Sequence, residues 1–175
     1  MLDCSFEKIL RSIEFEKSVN PKNYQELLDS VYETVNKITP RNVFSSVFTS
    51  HILDIQKLLE ESEHFLSSEV SLKNVVEFYV LSLNLNLQNL KRISEQIIRK
   101  ENRKIFENNK LLSLKFEEIN AILKEIKIGN ENDKVLNEKM FYFVTLWVEE
   151  DFQSREHFLP NLLQILPLHE FSQDR

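Results

Sequence analysis

Glu61 and His64 stand three apart in the run EESEH, the spacing by which one helical turn offers two ligands to iron or manganese. A carboxylate di-metal site needs a second such pair and two further glutamates. The other candidate, SREH ending at His157, has serine where the glutamate is required. The four histidines, His51, His64, His157 and His169, have no serine or cysteine beside them in a recognisable nucleophile setting. Cys4 is the sole cysteine, which excludes an internal disulfide and a cysteine-based zinc site and fits a reducing compartment. Gly129 is the sole glycine, and one glycine cannot build a phosphate-cradling loop. No catalytic residue, cofactor or metal is expected, and the chain reads as a non-enzyme.

Two further stretches could bind. LPNLL at Leu159–Leu163 has the spacing of peptides that dock into helix grooves, although a packed C-terminal segment has the same pattern. KRISEQIIRKENRK carries Lys91, Arg92, Arg99, Lys100, Arg103 and Lys104 against only Glu95 and Glu101. Such a run could pair with acidic neighbours and complement a helix macrodipole, or it could dock an acidic subunit or DNA phosphate. No aromatic residues alternate with the charges, so stacking on single-stranded nucleic acid is not expected. Net charge is −6, divided as −4 over residues 1–64, +3 over 65–130 and −5 over 131–175. That balance argues against the whole domain being a nucleic-acid coat.

The elements that position these residues are helices. With 42% hydrophobic and 29% charged residues in 175, one globular domain is expected. Hairpin turns consume glycine, so one glycine and four prolines favour an all-α fold. The acidic stretch MLDCSFEKIL has no long apolar core, so no signal peptide is expected, and no apolar run is long enough to cross a membrane as a helix. Periodicity predicts a first helix from about Asp3 with Phe6, Ile9, Leu10 and Ile13 on one face. A second opens at Asn20-Pro21 and a third at Thr39-Pro40, running to about Phe65. Ser71 caps a fourth that continues to about Phe106, roughly 50 Å at 1.5 Å per residue. Within it SLNLNLQ alternates like a strand, but its flanks keep helical phase, so it is read as a helix buried on two sides. A fifth helix uses Phe116, Ile119, Leu123 and Ile126 and stops at Gly129. The last long helix runs from about Asp133 to His157, and an apolar tail follows at 158–175. The expected fold is a bundle of five to seven helices with one long central helix.

Three segments carry a family resemblance. SIEFEKSVNPKNY keeps Ser12, Glu16, Lys17 and Pro21 of one motif, with Ile13 in place of its tryptophan. NLQNLKRISEQIIRKENRKI keeps Leu87, Leu90, Lys91, Ile93, Ile98, Arg99, Lys104 and Ile105 of a second, with Glu95 and Glu101 at arginine positions. HFLPNLLQIL keeps Leu159, Pro160, Leu163 and Gln164 of a third. In this order they resemble the SLD-five-type subunit of the GINS complex of eukaryotic DNA replication. The resemblance implies a nuclear, non-catalytic scaffold subunit in a hetero-oligomer. Its partners would be the other GINS subunits and the minichromosome-maintenance helicase ring, with no membrane and no direct nucleic-acid contact expected. The tail would lead toward the β domain of that family. The implied assembly face is Leu87, Leu90, Lys91, Ile98, Arg99, Arg103, Lys104, Trp147, Leu159, Pro160 and Leu163. The alternative reading is a stand-alone helical regulator, such as a viral or pathogen protein that binds a host helix.

Overall fold

The computed structural model describes residues 38–130 and 132–166. The two helices expected before Ile38, and the first of the three motifs, lie outside these residues. The described residues are all helix, 3-10 turn or connection, with no strand among them. The all-α class is therefore correct. The chain divides into two compact units, Met1–Leu66 and Ser67–Arg175.

The first unit contains α1 (Val43–Ile52) and most of α2 (Gln56–Ser68). One face of α1 is buried through Val43, Ser46, Val47 and Ser50. In α2 the buried residues are Leu58, Ser62 and Leu66, at intervals of four. The continuous helix expected from Pro40 to Phe65 is broken between them. Asp54 takes a left-handed conformation with φ 54°, and the Ile55 amide donates back to the Ser50 carbonyl at 2.9 Å. That reversal terminates α1 and satisfies one of its last carbonyls.

The second unit is built from α3 (Val75–Leu85), α4 (Gln88–Lys100), α5 (Asn102–Ile105), α6 (Phe116–Lys127), α7 (Lys134–Glu150), α8 (Phe152–Arg155) and α9 (Leu159–Leu163). Short 3-10 turns at Asn109–Ser113 and Glu156–Phe158 connect them. One apolar core draws on Val75, Val76 and Tyr79 of α3, Ile98 of α4, Ile119 to Ile126 of α6, Met140 to Val148 of α7, and Leu162 to Leu166. Each of these side chains stabilises the unit by roughly 1.5–3 kcal/mol on leaving water.

The largest departure from expectation is the long central helix, which does not exist. Asn86 stands in the left-handed region at φ 56°, ψ 38°, and the Leu87 amide donates to the Ser82 carbonyl at 3.0 Å. This is the same helix-ending hydrogen bond as at Asp54, with asparagine in the position usually given to glycine. The chain turns back there, and α4 packs against α3. The alternation in SLNLNLQ thus marks a helix end, a turn and a new start. Asn86→Gly is expected to leave stability within about 0.5 kcal/mol of wild type, whereas Asn86→Val costs about 1–2 kcal/mol, because a β-branched side chain resists positive φ. Urea unfolding of the two variants checks this; equal stability would refute it.

The helix starts follow one device used twice. Asn42 Oδ1 accepts from the Thr39 amide at 2.7 Å, and Asn74 Oδ1 accepts from the Ser71 amide at 2.7 Å. In each, asparagine makes the reach-back bond of a capping box. Thr39 and Ser71 were expected to cap these helices, but a turn intervenes, so α1 and α3 begin at Val43 and Val75 with Asn42 and Asn74 as their N-caps. Gly129, at φ 74°, follows α6 as expected.

Candidate functional site

No group of three or more His, Cys, Asp or Glu side chains among the described residues could hold a metal ion. Glu61 and His64 are both exposed on α2. No helix among the described residues is long and apolar enough to cross a membrane. The site-like features that remain are surfaces and the contacts that hold them.

The basic run lies on α4 and α5, and most of its charge is consumed inside the unit. Arg99 donates through Nε and Nη2 to Glu125 Oε2 of α6, at 2.8 and 2.7 Å. Glu95 bridges Lys91 at 3.7 Å and Arg99 at 3.8 Å. Lys104 pairs with Glu101 at 2.8 Å and Arg103 with Asp133 at 2.6 Å. These pairs are half-exposed, so each contributes little to stability and more to the register of α4 against its neighbours. Beneath them Tyr79 is buried. Desolvation pushes its phenol well above the ordinary range, Glu125 and Glu95 add to that, and Arg99 opposes it. Tyr79 is therefore a neutral core residue. An open cleft of about 410 Å³ at the start of α4 is lined by Gln88, Asn89, Lys91, Arg92 and Glu95.

Asp133 joins this network to α7. Its Oδ1 accepts from the Leu136 amide at 3.1 Å, capping α7, while Oδ2 accepts from Arg103. The Arg103 hydrogen bond first, then the amide, hold the carboxyl below its ordinary value of 3.8. A depressed folded pKa gives stability that is fully present above pH 3.8 and lost as pH falls through the lower folded value. Asp133→Asn is expected to flatten the acid limb of the stability profile below pH 3.8, as read from urea midpoints between neutral and strongly acid solution. An unchanged acid limb would contradict it.

The third motif and the aromatic end of α7 meet at one corner. Trp147 is 1% exposed and donates Nε1–H to the Leu114 carbonyl at 3.0 Å. The Arg155 guanidinium lies 4.4 Å from the centre of the indole ring. Arg155 Nη1 also donates to the carbonyls of Leu112, at 2.9 Å, and Trp147, at 2.7 Å. Phe158 stacks on Phe116 with ring centres 4.3 Å apart. Leu162 is fully buried, and Lys127 Nζ donates to the Ile165 carbonyl. Asp151 makes this corner possible: its side chain accepts from the Ser154 amide, ending α7 and opening α8. Beside the corner lies an open groove of about 290 Å³, lined by Phe116, Trp147, Phe158, Lys115 and Arg155 among others. Ser113, Ser154 and Glu117 also line it, and the Ser113 hydroxyl donates to the Lys110 carbonyl at 2.8 Å.

The structure accounts for each expected interface residue. Leu87, Leu90, Ile98 and Trp147 are buried in the chain itself. Lys91, Arg99, Arg103 and Lys104 are in the ion pairs above. Leu159 and Leu163 pack on the core, and Pro160 is exposed at the first turn of α9. Leu162, the middle leucine of LPNLL, points inward. Arg155 was missed. Its signal was in the sequence: it is the sole lysine or arginine between Met140 and Leu166, eight residues after the sole tryptophan.

The family model described as "BACK: BTB And C-terminal Kelch" matches residues 75–174. Those residues run from the first turn of α3 through the closing corner, and they make up the body of the second unit. The chain belongs to the BACK family. Kelch-like protein 8 of Caenorhabditis elegans is 25% identical over 145 residues, which is 82% of this chain and 20% of that protein. Kelch repeat and BTB domain-containing protein 3 of Homo sapiens is 23% identical over 157 residues, 90% of this chain and 25% of that protein. Kelch-like protein 11 of Homo sapiens is 21% identical over 161 residues, 92% of this chain and 22% of that protein. The chain thus spans a fifth to a quarter of the length of these curated relatives.

Membership of BACK corrects the GINS resemblance. A replication scaffold with GINS subunits and the minichromosome-maintenance ring as partners falls with it, and the alternative of a stand-alone helical regulator gains no specific support from these relatives. The physical reason lies in α4. The matched positions Leu87, Leu90 and Ile98 are buried at the start and along one face of this helix, Lys91 and Arg99 are on its ion-paired face, and Lys104 is ion-paired on α5. Any helix packed on one side and salt-bridged on the other has that pattern, so the match carried helix chemistry rather than ancestry.

Proposed function

We propose that this chain is the helical connecting part of a non-catalytic adaptor of the BTB–Kelch kind, which brings substrates to a cullin-type ubiquitin ligase. The observation that carries the reading is the match of the BACK family over 75–174, which coincides with a unit that closes its own core. An adaptor accelerates a transfer by raising the effective concentration of substrate at the enzyme, and a stiff connection raises it more than a loose one. The ion pairs of α4 with α6 and of α5 with the start of α7, and the Trp147–Arg155 corner, supply that stiffness.

The test is co-purification of the tagged protein from its native cell, with turnover of whatever it binds. A cullin is expected among the partners, and Ile98→Asp, which puts a carboxylate into the core, is expected to stabilise the bound protein against degradation. A well-folded tagged protein that recovers no cullin would overturn the reading.

A further inference from the structure

The two helix pairs that open the described residues repeat one another. The landmarks of α1, its turn and α2 recur thirty-two residues later in α3, its turn and α4. The reach-back bonds come first, Asn42 to the Thr39 amide and Asn74 to the Ser71 amide, both 2.7 Å. Ser50 Oγ then donates to the Val47 carbonyl at 3.0 Å, and Ser82 Oγ to the Tyr79 carbonyl at 2.6 Å. The left-handed residues Asp54 and Asn86 follow, with φ 54° and 56°. Behind each, the next amide returns to the carbonyl of that same serine. Gln56 Nε2 donates to Asp54 Oδ1, as Gln88 Nε2 does to Asn86 Oδ1. On the second helix of each pair the buried residues are Leu58, Ser62 and Leu66, then Leu90, Ser94 and Ile98. Eight of the thirty positions so paired are identical, among them the cap asparagine and the turn glutamine.

Helical spacing alone recurs in any packed hairpin. Equal lengths and a non-glycine turn closed by the same four groups do not. Ser62 and Ser94 add a shared imperfection: both are fully buried, and neither hydroxyl has a hydrogen-bond partner. A buried orphan hydroxyl destabilises, so convergence has no reason to install it twice at one position. We propose that residues 39–100 are one helical-hairpin module used twice. The hairpin upstream of the BACK match is then a second copy of the hairpin with which that match opens. Self-similarity at a period of about 20–50 residues marks repeat architectures, whose stability sums over modules and their neighbours. The copies diverge on one face, where the second joins its unit: Val76 is buried in the core, and its counterpart Phe44 is 39% exposed. The inference goes beyond the adaptor reading and stands without it; on that reading it adds one hairpin to the connecting part.

Interchange within the whole chain is the test. In one variant Leu53–Leu58 takes the sequence of Leu85–Leu90, through Asp54→Asn, Ile55→Leu and Lys57→Asn. The control lays the same six-residue sequence one position later, over 54–59. That sets leucine in the left-handed position and asparagine at the buried position 58. The in-register variant is expected to keep its urea midpoint within about 0.5 M of wild type, and the control to fall by more than about 1 M. Hydrogen exchange of the amide at position 55 should keep its rate in the first and rise at least about tenfold in the second. The reciprocal variant, Asn86→Asp with Leu87→Ile, is expected to match the first. An in-register or reciprocal variant that loses as much as the control overturns the proposal. So does a control that unfolds no earlier than wild type. Neither result bears on whether a cullin co-purifies, so the two readings fail separately.

Discussion

Trp147→Ala is expected to destabilise the second unit by about 3–5 kcal/mol, the range for emptying the site of a large buried aromatic. The ring is 1% exposed, and three elements meet on it. Its Nε1–H satisfies the Leu114 carbonyl, Arg155 covers one face, and Phe158 lies at 6.4 Å. Truncation leaves a cavity and also orphans that carbonyl, and the two costs add. A small domain holds only about 5–15 kcal/mol in all, so the variant would stand near the threshold of folding. Trp147→Phe separates the parts, keeping most of the packing and losing the hydrogen bond, for about 1–2 kcal/mol. Because Trp147 is the sole tryptophan, circular dichroism in urea must report on both variants. A loss below about 1 kcal/mol for the alanine variant would mean that the corner does not hold the unit together.

The sequence made the helices legible because each buries one face at helical spacing, as α6 does through Ile119, Ile122, Leu123 and Ile126. It made the start at Asp133 legible, where the carboxylate accepts from the Leu136 amide, and came within a turn of the starts near Thr39 and Ser71, whose amides donate to Asn42 and Asn74. The breaks at Asp54 and Asn86 were illegible for one reason. Both rest on a non-glycine residue in the left-handed region, and tertiary packing chose that conformation over the helical one. The basic run misled because periodicity gives the side of a helix and not its neighbours. Nothing local says that Arg99 meets Glu125, twenty-six residues on, or that Arg103 meets Asp133, thirty residues on. The corner was half legible: the aromatic helix and the apolar tail were visible, but the guanidinium that ties them together needed their relative placement.

Arg155→Met is the second large expected effect, about 2–3 kcal/mol, because it removes charge-assisted hydrogen bonds to two carbonyls at once. Methionine keeps the apolar stem over the indole, so packing is largely preserved and the loss isolates the guanidinium. The two carbonyls come from elements far apart in sequence, Leu112 in the 3-10 turn before α6 and Trp147 in the last turn of α7. Arg155→Lys does not rescue the site: a compact ammonium on a flexible stem has no planar face to lay on the indole. The effect should also be local before it is global. Residues 159–166 hang on the unit through Leu162, Ile165 and Leu166, all C-terminal to Arg155. Releasing the guanidinium should let that segment open at a free energy below that of whole-unit unfolding. Amide hydrogen exchange reads this directly. Faster exchange at Gln164, Ile165 and Leu166, whose amides donate to Pro160, Leu162 and Leu163, is expected while the Ile119–Ile126 amides keep their protection. Uniform acceleration across both sets would show that Arg155 stabilises the unit as a whole, and no change in either would remove it from the account of how the segment is held.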